Sequence, residues 1–96
     1  MKNYISDKEE EIVKRNGKVI EKLQTRFDRR ASFYGKAEVI EYNNILYLKS
    51  YDTIVAKIED GKAVVNGWYS QTTARHINEF LKQNDFEAMI KKEMEE

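Results

Sequence analysis

Ninety-six residues fit one domain with enough chain for a single small core. Seventeen basic and seventeen acidic side chains cancel, so no overall field commits the protein to nucleic acid or to a membrane. Cysteine is absent, which excludes disulfides and thiolate metal sites, and no apolar run approaches the ~20 residues of a membrane span.

In chain order, the segment 1–31 reads as a long N-terminal helix from Ser6 to about Arg30. Ser6 with Glu9 forms a capping box, and Asp7, Glu9, Glu10 and Glu11 suit the positive end of a helix dipole. Ile12, Val13, Val19, Ile20, Leu23 and Phe27 keep one helical phase across Asn16-Gly17, the weak point, where the helix is continuous or bent. From 32 to 69 the period becomes two. Strands are expected over Lys36–Tyr42, Ile45–Ser50, Thr53–Ile58 and Lys62–Trp68, with Asn43-Asn44, Tyr51-Asp52 and Glu59-Asp60-Gly61 as hairpin turns. Leu46, Leu48, Ile54, Ala56 and Ile58 are assigned to a dry face, and Tyr47, Lys49, Thr53 and Lys57 to a wet one. In 70–96, Ser70 or Thr72 caps a helix with the apolar stripe Ala74, Ile77, Phe80 and Leu81. Asn84 with Glu87 then caps a last helix that turns Phe86, Met89 and Ile90 inward, and Glu93–Glu96 are expected to fray. The expected fold is α+β in a single domain, 1–96: a long N-terminal helix, a four-stranded antiparallel meander sheet and two C-terminal helices packed on one sheet face.

Chemistry is sparse. His76 is the sole histidine, and Ser70, six residues before it at a helix start, is placed to cap and not to act as its nucleophile. Asp52, Glu59 and Asp60 are turn formers, no metal-ligand spacing occurs, and glycines 17, 35, 61 and 67 are too dispersed for a phosphate loop. No cofactor and no catalytic residue are assigned. Two binding surfaces are. The first is a basic helix face formed by Arg15, Lys18, Lys22, Arg26 and Arg29 at spacings of three and four, suited to phosphates or an acidic protein surface. The second gathers Tyr51, Trp68, Tyr69, Arg75 and His76 where the sheet hands over to the helix, within a chain that also carries Tyr42 and Tyr47.

Ser50-Tyr51-x-Thr53-x-Val55-Ala56, followed by Tyr69-Ser70-x-Thr72-Thr73-x-Arg75-His76, resembles a small domain-of-unknown-function family of phages and mobile elements of Gram-positive bacteria. The Ser32-Phe33-Tyr34-Gly35-Lys36-Ala37 segment belongs to the same resemblance, which covers roughly residues 32 to 86. It implies a non-catalytic accessory protein that binds a host protein or ribonucleoprotein, including an inhibitor of host defence of the anti-CRISPR kind. The alternative is a small nucleic-acid-binding protein using the basic helix face. Either is expected in the cytoplasm, that of the host cell if viral, without membrane attachment and with homo-oligomerisation left open.

Overall fold

A computed structural model of the chain describes residues 4–29 and 33–95. Its elements are α1 (Asp7–Asn16), β1 (Lys18–Lys22), β2 (Ala37–Tyr42), β3 (Ile45–Ser50), β4 (Thr53–Glu59), β5 (Lys62–Val65), α2 (Gln71–Gln83) and α3 (Lys91–Glu95). The strands form one five-stranded antiparallel meander in the order β1-β2-β3-β4-β5. Two turns are as their residues dictate. Asn43-Asn44 (φ 51° and 63°) and Asp60-Gly61 (φ 52° and 74°) take the left-handed conformations that two-residue hairpins require.

The N-terminal helix ends at Asn16, and the long helix expected to about Arg30 does not form. Ser6 does cap it, its Oγ accepting from the Glu9 N–H at 3.1 Å. At Gly17 the chain turns so close to the sheet that a Cβ would overlap Ile40 Cγ2 and the Val13 carbonyl oxygen. Beyond it, Lys-Val-Ile-Glu-Lys pairs with β2 as a fifth strand, the β-branched Val19 standing opposite Ile40. The register shifts between Val19 and Glu21, leaving Ile20 as a bulge. Val19, Ile20 and Phe27, assigned by phase to a buried helix stripe, are exposed instead. Arg30 and Ser32 lie outside the described residues.

Helices cover both sheet faces, not one. On the α1 face, Ile5, Val13, Ile40, Tyr47 and Ile54 form a small core. The α2 face carries the larger one, including Leu23, Val39, Leu48, Val55, Ile77 and Phe80. The facing of β4 is corrected accordingly. Leu48 pairs with Ala56 but Lys49 with Ile54, so Val55 is an extra residue and Ile54 turns to the α1 side. Tyr47, expected to be wet, is buried there. Its hydroxyl donates to Glu9 Oε2 at 2.7 Å, Lys57 Nζ donates to the same oxygen at 2.9 Å, and the Ile54 N–H donates to Glu10 Oε2 at 2.9 Å. Half of the expected capping box is thus diverted: the Glu9 carboxylate fastens α1 to the sheet.

Ser70 caps α2, accepting from the Thr73 N–H at 3.1 Å, so Thr72 is not the cap. The last helix differs more. Asn84 ends α2, and its side-chain Nδ2 donates to the Phe80 carbonyl at 2.8 Å. Asn78 then holds the following irregular segment by bonding both the N–H and the carbonyl of Met89. Only Lys91–Glu95 is helical, Ile90 is exposed, and Met94, expected in a frayed tail, is buried in the larger core.

Candidate functional site

The five basic residues assigned to one helix face are scattered. Arg15 lies on α1 and pairs with Glu11 at 2.8 Å, one turn away. Lys18 and Lys22 lie on β1, opposite Glu41 and Glu38 of β2, an arrangement that offsets their charge across the strands. Arg26 and Arg29 follow β1 in an irregular segment. No common basic face exists, because a strand and a loop replace the helix that would have aligned them.

The second surface is partly assembled. Tyr51, Arg75 and His76 meet around a cavity of about 390 Å³, together with Phe33, Tyr34, Lys36 and Thr72. Trp68 and Tyr69 do not line it. Trp68 packs against the edge of the larger core, with the Lys91 ammonium 5.2 Å from its ring centroid, and Tyr69 is exposed.

His76 forms the floor and is only 1% exposed. Its Nδ1 is 2.7 Å from Ser50 Oγ, which is 3.0 Å from Thr73 Oγ1, so the last residue of β3 and the first turn of α2 are joined by a buried polar chain. Phe33 meets the imidazole edge-on with centroids 4.5 Å apart, and the Tyr51 ring lies tilted at 5.7 Å. Burial pushes the His76 pKa down, with Arg75 acting in the same direction and Asp28 opposing. The ring is therefore neutral near pH 7. No buried side-chain nitrogen or oxygen lacks a partner among the described residues, and the hydrogen bond of His76 uses Nδ1. Its Nε2 consequently keeps residual solvent contact, and the residue lines the cavity.

The rim is held under backbone strain. Tyr34 and Tyr51 have φ of 53° and 56°, a region that bulky side chains rarely enter. Each is locked by backbone hydrogen bonds: the Lys36 N–H donates to the Phe33 carbonyl at 3.0 Å, closing the Tyr34-Gly35 turn, and the Tyr51 N–H donates to the Lys36 carbonyl at 2.7 Å. Tyr34 is 81% exposed and Tyr51 54%. Lys36 enters no ion pair among the described residues, whereas Arg75 makes a two-pronged pair with Asp28.

Behind Arg75, Glu79 organises the segment that follows β1. Its carboxylate accepts from three successive backbone N–H groups, Arg26 (3.0 Å), Phe27 (3.0 Å) and Asp28 (2.9 Å), and from Gln83 Nε2 (2.6 Å). Burial alone would raise its pKa, but the Gln83 and backbone hydrogen bonds outweigh that and lower it. Asp28 is thereby placed for Arg75, and Arg75 for the cavity wall.

Sequence reasoning missed Ser50, Thr73, Glu79, Phe33, Tyr34 and Lys36 as parts of one site. A Tyr-Gly turn before an alternating run was the only local sign of the Tyr34 rim; the backbone partners of Glu79 lie more than 50 residues away. The other ionisable cluster, Glu9 with Tyr47 and Lys57, is internally satisfied. Burial first and the Glu9 hydrogen bond second push the Tyr47 phenol well above its ordinary range, as expected of a clamp. A larger depression of about 680 Å³ beside the β4–β5 turn has half-buried or exposed walls and no buried polar residue.

Among the described residues no helix is long and apolar enough to cross a membrane. The model of a family of unknown function (DUF8033) matches residues 21–96, so α1 lies outside the matched region. No curated protein and no solved structure matches the chain.

Proposed function

Since the chain belongs to DUF8033, a family of unknown function, we propose from its own geometry that it is a non-catalytic binding module engaging a host protein or ribonucleoprotein through the Tyr34–Tyr51 end. The observation that carries this is the pair of exposed tyrosines held at positive φ around one cavity. Strain of this kind costs about 1–3 kcal/mol per residue and persists where surrounding structure enforces it, commonly at ligand clamps. Tyrosine and arginine are also the usual anchors of interfaces.

A hydrolytic reading finds less support. Ser50 is buried, bonded to His76 through the inner nitrogen and to Thr73 besides, so its hydroxyl is turned away from any substrate in the cavity. The alternative of nucleic-acid binding by a basic helix face loses its geometric basis with the helix. The finer reading, a phage or mobile-element accessory protein that inhibits host defence in the anti-CRISPR manner, rests on the sequence resemblance. Affinity capture from a host lysate, with and without nuclease, tests the proposal. Wild type is expected to retain a partner that the Tyr34→Gly/Tyr51→Gly variant loses; equal capture by both would refute this surface.

A further inference from the structure

We propose that the cavity above His76 is a nucleotide site, taking an aromatic base together with its attached phosphate. This rests on the reading that the Tyr34–Tyr51 end is the recognition surface, and names what that end holds of its partner. Three features define the ligand class. The walls present aromatic rings, among them Tyr34 and Tyr51, which favour a flat π-system over a peptide backbone or a sugar alone. Among the described residues no carboxylate lines the cavity, while Lys36 does so without an ion pair, and Lys22 Nζ lies close by, 3.8 Å from where a Cβ on Gly35 would stand. The floor offers a polar group of its own. In the tautomer in which Nδ1 accepts from Ser50, the neutral imidazole carries its hydrogen on Nε2 and offers the cavity a nearly buried donor.

Each feature excludes a simpler ligand. A purely apolar molecule would leave Lys36 and Nε2 unanswered. An inorganic anion would make no use of the rings, and about 390 Å³ lies within the range of small-molecule sites. A base stacked on tyrosine, with its phosphate on the Lys36 and Nε2 side, satisfies both ends at once. The same chemistry has two sources: a free nucleoside monophosphate, or an unstacked nucleotide within a single strand.

The test is calorimetric titration of the full chain with the common nucleoside monophosphates, the matching nucleosides, inorganic phosphate, and short single-stranded oligonucleotides. At least one monophosphate is expected to bind about tenfold or more tightly than its nucleoside or phosphate alone. Lys36→Gln and Tyr51→Gly, both outside the cores, should each weaken it about tenfold, and the Trp68→Phe control should not. Tighter binding of the oligonucleotide identifies a strand as the source, and equal binding a free nucleotide. No saturable binding at about 1 mM overturns the inference, as does phosphate binding as tightly as nucleotide, or affinity indifferent to Lys36. A lysate partner lost on Tyr34→Gly/Tyr51→Gly, with no nucleotide bound, would sink this inference and leave the preceding one standing. Nucleotide binding with no tyrosine-dependent partner would do the reverse.

Discussion

Three residues carry consequences that single substitutions can read. Glu79 accepts three backbone N–H groups and a glutamine amide while nearly buried, so Glu79→Gln would aim an amide donor at donors. A loss of about 1–3 kcal/mol in urea unfolding is expected. Because its folded pKa is lowered, its contribution is complete above the ordinary carboxylate value of 4.5 and is lost as pH falls through the lowered one; Glu79→Gln should flatten that acid limb. His76 acts in a separate window. Its folded pKa also lies below the ordinary 6.5, so the unfolded chain takes up a proton that the folded one refuses. Stability should therefore fall as pH drops below about 6.5. As His76 is the sole histidine, His76→Gln, although less stable itself, should show no slope between pH values of about 7.5 and 5.5. Tyr34 tests strain directly. Its αL backbone costs roughly 1–2 kcal/mol, against the 0.5–1 kcal/mol entropy penalty of glycine. Tyr34→Gly should melt at or above the wild-type temperature while losing the bound partner, and a clear loss of stability would show that the ring is needed for packing.

At the level of elements, the junction of α1 and β1 turns on Gly17. Asn-Gly was legible as a weak point, and the apolar phase through Val19, Ile20 and Leu23 argued for continuing the helix. That phase is ambiguous because Val-Ile also suits a strand, and the open edge of β2 supplies the hydrogen-bond partners that settle it. Gly17→Ala must push a methyl group against Ile40 and the Val13 carbonyl, so a destabilisation of about 1–3 kcal/mol is expected by thermal or denaturant melts. The C-terminal helices show the same division. A cap at Ser70 or Thr72 and the Ala74–Ile77–Leu81 stripe announced α2, since cap and period are local, and the structure selects Ser70. Whether Asn84 would start a helix or finish one depended on Asn78 reaching Met89, which no local pattern encodes.

Across the whole molecule, charge is balanced and dispersed, and the proposed recognition surface lies at one end. Arg15→Glu with Lys18→Glu should leave partner capture within about twofold, since both are exposed and outside the cavity. The tyrosine double variant should reduce it more than tenfold. The reverse order of effects, measured side by side in the same pull-down, would return the site to the basic residues.

What the sequence determined by itself was whatever depends on near neighbours: four of the five strands, the two Asn and Asp turns, the cap at Ser6, a cap at Ser70 or Thr72, and the amphipathic face of α2. It also placed Tyr51, Arg75 and His76 among the candidates, because a helix start next to a strand end concentrates polar side chains. Tertiary structure decided the rest. A fifth strand replaced half a helix, since unpaired edge groups on β2 outweigh a continuous apolar phase. The bulge at Val55 moved Ile54 to the other face, and Glu10 received the Ile54 N–H. Ser50 met His76, Glu79 met the Arg26–Asp28 backbone, and Tyr34 closed the rim, through contacts separated by tens of residues. Such partners are selected by packing in three dimensions, where burying a polar group without its complement costs more than any local preference supplies.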